Sequence, residues 1–380
     1  MSPIGRVLMK TTRWSLLLAG LASMSGGCGP EEPVQAPPAA LESQKSALTT
    51  GAWTSNASSL NSHPGGHTVT LLRGPGDVLV ADGNGAEVYN PYTNAWRRTP
   101  AMTASRYSHT ATELPSGKVL VLGGRTSDWS NIQSSAELYD PATDTWNSMS
   151  PMTTARFNHT SVLLDSGKVL VMGGNMLMNR GGPIGNMTEV YDPDTGTSSI
   201  PGGQFWPRSR VSATVLYSGK VLVTGGYLWL TDPANASSEA NLYDPATNSW
   251  SFAGLLSKAR HGHSAIRLYS GLVLIVGGIG GGNTVELYNP YTGQFSVGPP
   301  LPFDETFFFF SATLLYSGEV LVTGGGGKAA LYDPATNTWT PTPDMNVGRG
   351  ESSSTMLHTG EVLFVGGNDG SPRSVERYTR

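Results

Sequence analysis

Arg106 to Trp146 reads RYSHTATELPSGKVLVLGGRTSDWSNIQSSAELYDPATDTW, and this stretch decides the fold. Ser108 to Leu114 is a short strand-like segment. Pro115-Ser116-Gly117 is a tight turn in which glycine supplies a positive φ. Lys118 to Leu122 (KVLVL) is an apolar, β-branched run of the kind expected of a strand covered on both faces, and Gly123-Gly124 ends it. Ala136 to Tyr139 is a third strand. Asp140-Pro141-Ala142-Thr143 is the next turn, where Asp can accept from following amides and Pro presets φ. Trp146 opens a fourth strand.

The same pattern recurs along the chain. The Gly-Gly step or its equivalent falls at Asp82-Gly83, Gly123-Gly124, Gly173-Gly174, Gly225-Gly226, Gly277-Gly278, Gly324-Gly325 and Gly366-Gly367. Successive second glycines lie 41, 50, 52, 52, 47 and 42 residues apart. Tyr89/Trp96, Tyr139/Trp146, Tyr243/Trp250 and Tyr332/Trp339 are each seven apart, and Tyr288/Phe295 and Tyr191/Ser198 keep that spacing. Four antiparallel strands in each repeat make one propeller blade. An apolar run, a Gly-Gly step and Tyr and Trp at fixed spacing resemble a kelch repeat. The resemblance covers about residues 51–380 and implies an all-β, seven-bladed kelch-type β-propeller. The last repeat stops at Tyr378, before any Trp, whereas Trp53 lies 14 residues before His67, close to the 13 that separate Trp96 from His109. Trp53 is therefore expected to complete the final blade, closing the ring by pairing the N- and C-terminal strands and removing an open sheet edge.

The first fifty residues read differently. Arg6, Lys10 and Arg13 precede the short apolar run Trp14 to Met24, then Ser25, Gly26, Gly27 and Cys28. Positive, apolar and small, in that order, is an export signal, and the run is too short to span a bilayer comfortably. A cysteine directly after the small residues resembles the lipobox of bacterial lipoproteins, which implies acylation of Cys28 and removal of residues 1–27; Ser25 stands where that family usually has an aliphatic residue. Residues 28–50 are rich in Pro, Ala, Ser and Glu without periodicity and form a spacer. An outer-membrane or cell-surface lipoprotein, or otherwise a secreted protein, is the expected location.

Repeated residues point to structure, and residues that break the repeat point to function. His67, His109, His159 and His263 share one repeat position, replaced elsewhere by Val211, Phe310 and Ser352. Four histidines near an axis could bind a metal; a local hydrogen bond repeated in each blade explains them more simply, and no metal site is expected. Arg106, Arg156, Arg260 and Arg349 recur just before that position, with Arg208. They could ring a channel mouth and attract anions, or hold inter-blade loops. The paired tyrosines and tryptophans are expected in the core. With strands A to D antiparallel in each blade, the B–C and D–A loops share a face. The B–C loops are long and unlike one another, and loops on a rigid scaffold are where binding commonly resides. The candidate ligand contacts are Trp129, Met178, Arg180, Tyr227 and Trp229, with Arg106, Arg156, Arg260 and Arg349 behind them. Phe307 to Phe310 is read as filling near the axis.

Composition excludes some classes. Only 14% of residues are charged and the net charge is −4, against a nucleic-acid surface. Galactose oxidase, an enzyme with kelch-like blades, needs a Tyr joined covalently to a Cys at its copper, and no cysteine follows Cys28. A copper-radical oxidase is therefore not expected, and no cofactor is implied. Ser-His-Asp, phosphate-loop and HExxH signatures are missing. Asp304 and Glu305 are adjacent, so on a strand they would point to opposite faces. The expected function is a monomeric, exported interaction module binding a protein or glycan on its B–C/D–A face. A carbohydrate-active enzyme at the channel mouth is the alternative.

Overall fold

The computed structural model describes residues 51–175, 188–203, 205, 208–227, 236–303, 310–368 and 371–380. They lie in a compact unit, Ala47–Arg380. Among them are strands and turns and no helix. The strands form seven four-stranded antiparallel sheets arranged as blades around an axis. In blade 2, strand A is Thr110–Glu113, B is Val119–Leu122, C is Ala136–Asp140 and D is Thr145–Met149. Blade 7 takes strands A to C from the C-terminus and its outer strand, Ala52–Ser55, from the start of the described chain. Trp53 pairs directly with Tyr378 there, so the ring closes as the repeat spacing implied.

Strand B explains why the repeat reads V-L-V. In Val119–Leu122 every side chain is buried: Val119 and Val121 pack towards blade 1, Leu120 and Leu122 towards blade 3. Each neighbouring pair of blades shares such a cluster, including blade 7 with blade 1. Burying each of these Val and Leu side chains contributes about 1.5–3 kcal/mol, so ring stability is distributed over the interfaces rather than held at one centre.

The outer half of each blade is fixed by the Tyr of the C strand. Tyr139 is fully buried, lies 5.0 Å from the ring of its cross-strand partner Trp146, and donates its hydroxyl to Asp144 Oδ1 at 2.7 Å. Asp144 and the equivalent Asn94, Asn248 and Asn337 have φ near +50°, the left-handed conformation that short polar residues tolerate. The tryptophans divide: Trp250 is buried in the core between blades 3 and 4, whereas Trp96, Trp146 and Trp339 are half-buried on the outer strand D.

The Gly-Gly step is a close-approach device. A Cβ on Gly123 would lie 2.6 Å from the Arg156 carbonyl and 2.9 Å from the His159 ring of the next blade; one on Gly124 would lie 3.0 Å from Arg106 Cβ of its own. Both glycines also have positive φ. The step thus lets the next blade's axial loop press against the end of strand B.

Candidate functional site

The D–A connections converge at the axis, and the residue just before the repeated histidine position forms an inner lip. These residues are Gly66, Ser108, Asn158, Arg210, Gly262 and Glu351; the sixth blade's Phe309 lies outside the described residues. All six have φ between +52° and +68°. Successive blades are tied amide to carbonyl along this lip: Ser108 N–H to Gly66 O (2.7 Å), Asn158 to Ser108 (3.0 Å), Arg210 to Asn158 (3.2 Å) and Gly262 to Arg210 (3.1 Å). The lip borders a funnel of about 320 Å³ that continues between the histidines.

The backbone of this lip is uniform, whereas its side chains are not. Arg210 of blade 4 reaches Glu351 of blade 7 at 3.4 Å, with a quarter or more of each side chain open to solvent. Arg125 stands in the field of both: burial lowers its pKa, Glu351 opposes that shift and Arg210 adds to it. Its guanidinium stacks on Trp129, 3.5 Å from the ring centroid. Trp129 is 55% exposed and meets Phe157 edge-on at 5.5 Å. Two guanidinium groups against one carboxylate, with an exposed indole beside them, suit an anionic group carried on an apolar or sugar body.

The histidines beneath the lip are neutral fasteners. Nε2 of His109 and of His159 lies 3.0 and 3.1 Å from Thr68 and Thr110 Oγ1 of the preceding blade, and His67 Nε2 lies 3.0 Å from Val365 O. The repeated Nε2 hydrogen bond runs between blades, and His109 adds a local one, its Nδ1 lying 3.1 Å from Arg106 O within blade 2. Burial drives His67 and His109 down to about 3, and His159 and His263 well below their ordinary value. Among the described residues, no three His, Cys, Asp or Glu side chains are grouped to hold a metal ion.

Several sequence-derived candidates need correction. Arg106, Arg156, Arg260 and Arg349 do not ring the channel mouth. Each is at most 2% exposed and paired inside its own blade, with Glu137, Glu189, Glu286 and Glu376 at 2.6–3.0 Å. Arg106 also donates to Gly123 O and Ser135 O, while the other Glu137 oxygen accepts the Thr103 amide, so the pair pins the incoming loop to strands B and C. A guanidinium so enclosed cannot reach a ligand. Tyr227 is also buried, at 5% exposure. Its hydroxyl accepts from Asn175 Nδ2 at 3.2 Å and its ring packs on His261, so it fills an inter-blade gap. Trp129 is placed at the surface. Met178, Arg180, Trp229 and Cys28 lie outside the described residues, as do residues 304–309; Phe310 packs in the core between blades 5 and 6.

Arg210 and Glu351 stand where identity along the repeat breaks, and Arg125 opens an irregular B–C loop. A register position whose residue changes from blade to blade, Gly, Ser, Asn, Arg, Gly, Phe, Glu, was the available signal.

Comparison with known proteins agrees with this architecture. A model of the Kelch motif matches residues 106–153. The chain is 28% identical over 160 residues to the spermatocyte protein spe-26 of Caenorhabditis elegans, covering 39% of this chain and 27% of that protein. It is 30% identical over 137 residues to an Arabidopsis thaliana protein named as an F-box/kelch-repeat protein, covering 33% of this chain and 38% of the other. The chain thus spans well under half the length of these relatives. Among solved structures, a fungal alcohol oxidase of the AA5 family, in complex with copper, superposes with a TM-score of 0.68 at 19% identity, over 87% of this chain and 76% of that one. That likeness concerns the fold.

Proposed function

We propose that this kelch-repeat β-propeller is an exported interaction module that takes an acidic group of a protein or glycan ligand at its axial lip. The observation that carries this reading is the chemistry of Arg210 and Glu351. Both occupy a left-handed backbone position where blades 1 and 5 have glycine. An Arg or Glu in that conformation costs on the order of 1 kcal/mol that Gly would not. Their ion pair is long, at 3.4 Å, and partly open to solvent, and solvent-screened pairs contribute about 0–1 kcal/mol. The pair borders the funnel and is partly open to solvent, so it is placed to meet a ligand. Glu351 is the one carboxylate among the described residues bordering the funnel.

The test is a glycan array probed with residues 47–380 and with the Arg210→Gly/Glu351→Gly variant. The wild type should bind glycans bearing carboxylates or sulfates, and the variant should lose that signal. Its thermal midpoint should be unchanged or raised, by the equivalent of up to about 1 kcal/mol per site. Equal binding by both proteins, or a variant that fails to bind because it unfolds, would count against the reading.

A further inference from the structure

The face opposite the lip, built from the A–B and C–D turns, carries a second feature that breaks the repeat. In the A–B turns of blades 4, 5 and 6 the residue before Ser-Gly is Tyr217, Tyr269 and Tyr316; in blade 7 it is His358, and in blades 1 to 3 it is Arg73, Pro115 and Asp165. The three tyrosines are 45–47% exposed. They lie like shingles, each against the next blade. A Cβ on the following turn glycine, Gly271, Gly318 or Gly360, would sit 3.3, 3.4 or 3.7 Å from the preceding Tyr ring. Each hydroxyl makes a long bond to a carbonyl of the next blade: Tyr217 to Tyr269 O (3.4 Å), Tyr269 to Leu315 O (3.5 Å) and Tyr316 to Leu357 O (3.4 Å). Arg267 braces the ring of Tyr217 at 4.0 Å, and Tyr291, 70% exposed, stands beside it at Gly271. The turn itself does not require these rings, because Asp165 occupies the same place against Gly219. The result is an arc of half-exposed aromatics over blades 4 to 6, with their orientation fixed; on the same face Tyr92, 61% exposed, stands beside Gly76 of blade 1.

The same face receives the chain. Gly51 lies against Tyr378, and Ala52 pairs with Thr379 at the turn end of blade 7. Arg380 is bound to Glu319 beside the blade 6 turn. If Cys28 is acylated, the spacer between it and Gly51 has 22 residues, Gly29 to Thr50. Twenty-two residues reach at most about 3.3–3.6 Å each, roughly 75 Å in all, so the anchor cannot lie farther than that from Gly51. A covalent tether of that reach keeps the propeller beside the membrane, so weak contacts suffice to hold one orientation. Tyrosine, with an apolar ring and a polar tip, suits the bilayer–water boundary.

We propose that the arc of Tyr217, Tyr269, Tyr316 and Tyr291 rests on the headgroup region of the membrane that carries the anchor, so that the axial lip points outward to ligand. This rests on the exported, Cys28-anchored reading, and the experiment separates the two. The protein from Cys28 onward, coupled through its one cysteine to a maleimide lipid in phosphatidylethanolamine/phosphatidylglycerol vesicles, is compared with uncoupled protein by hydroxyl-radical footprinting. Labelling of the four tyrosines should fall several-fold on vesicles, while Trp129 on the lip face stays unchanged. The Tyr217→Ser/Tyr269→Ser/Tyr316→Ser variant should remain folded and lose the protection of Tyr291. Unchanged labelling of the arc, equal protection of Trp129, or persistent protection of Tyr291 in the variant would overturn the proposal. Chemical coupling bypasses acylation, so the anchor itself is judged independently by palmitate labelling of Cys28 in cells.

Discussion

At the residue scale, His63 shows how one substitution is absorbed within a repeat. Blade 1 has no arginine at the pinning position. His63 takes its place, fully buried, with Nδ1 2.8 Å from Asp82 and Nε2 2.9 Å from Glu87. Asp82 in turn replaces the first glycine of the Gly-Gly step, and Glu87 is the blade 1 counterpart of Glu137. Burial alone would lower the His63 pKa, but the two carboxylates outweigh it and hold the group at about 9, while the adjacent His67 ring at 5.4 Å stays neutral. A folded pKa above the unfolded value of about 6.5 contributes stability that is complete below pH 6.5. That contribution disappears as pH rises through 9. The thermal midpoint should therefore fall between pH 7 and 10, and His63→Arg, charged throughout this range, should flatten that slope. Identical slopes in the two proteins would show that His63 is not protonated in the fold.

At the element scale, the Arg–Glu pin is the part of a blade most open to test, because the chain contains its own replacement. Blade 6 has Phe307 and Ala330 where blades 2, 3, 5 and 7 have the Arg–Glu pair of Arg106 and Glu137, and blade 4 keeps Arg208 with Asn241 in place of the glutamate. In blade 6 both charges are gone together, whereas in blade 4 the buried Arg208 guanidinium is held by Asn241 Oδ1 and the Glu239 carbonyl, with the Glu239 carboxylate 4.0 Å away. Removing one partner of such a pair costs about 3–5 kcal/mol by stranding a buried charge, whereas replacing both with apolar groups is often neutral. Glu137→Ala should thus destabilise by about that amount, and adding Arg106→Phe should recover most of the loss. Equal destabilisation by the single and double variants, measured by denaturant unfolding, would show that the pin holds the loop by more than charge pairing. The pin also marks where sequence reading stopped. Strands, turns and blade closure were legible because they depend on local periodicity and on glycine and proline stereochemistry. The arginines were legible as repeated but not as buried, since their partner glutamates lie 26 to 33 residues away across a variable loop. Trp129 was found because it stands in an irregular loop. Arg210 and Glu351 were not, because 141 residues separate two side chains that only the closed ring brings together.

At the scale of the whole molecule, a ring of seven similar blades gives rigidity by repetition and binding by its exceptions. Each interface has its own apolar cluster, so single exposed substitutions at the lip or in the turns leave the frame standing. Two faces depart from symmetry in different ways: the lip carries Arg210, Glu351 and the Arg125–Trp129 stack, while the turn face carries the tyrosine arc and both ends of the ring-forming chain. The central claim is that ligand is met at the lip. The most direct measurement places a photo-crosslinking amino acid at Asn158 on the lip, or at the exposed Thr247 on the turn face, in the full-length protein in the cells that make it. Irradiation should capture a discrete protein or glycan adduct from Asn158, lost when Arg210→Gly and Glu351→Gly are introduced in the same chain. A ligand adduct from Thr247 alone, or one at Asn158 that survives both substitutions, would contradict the account.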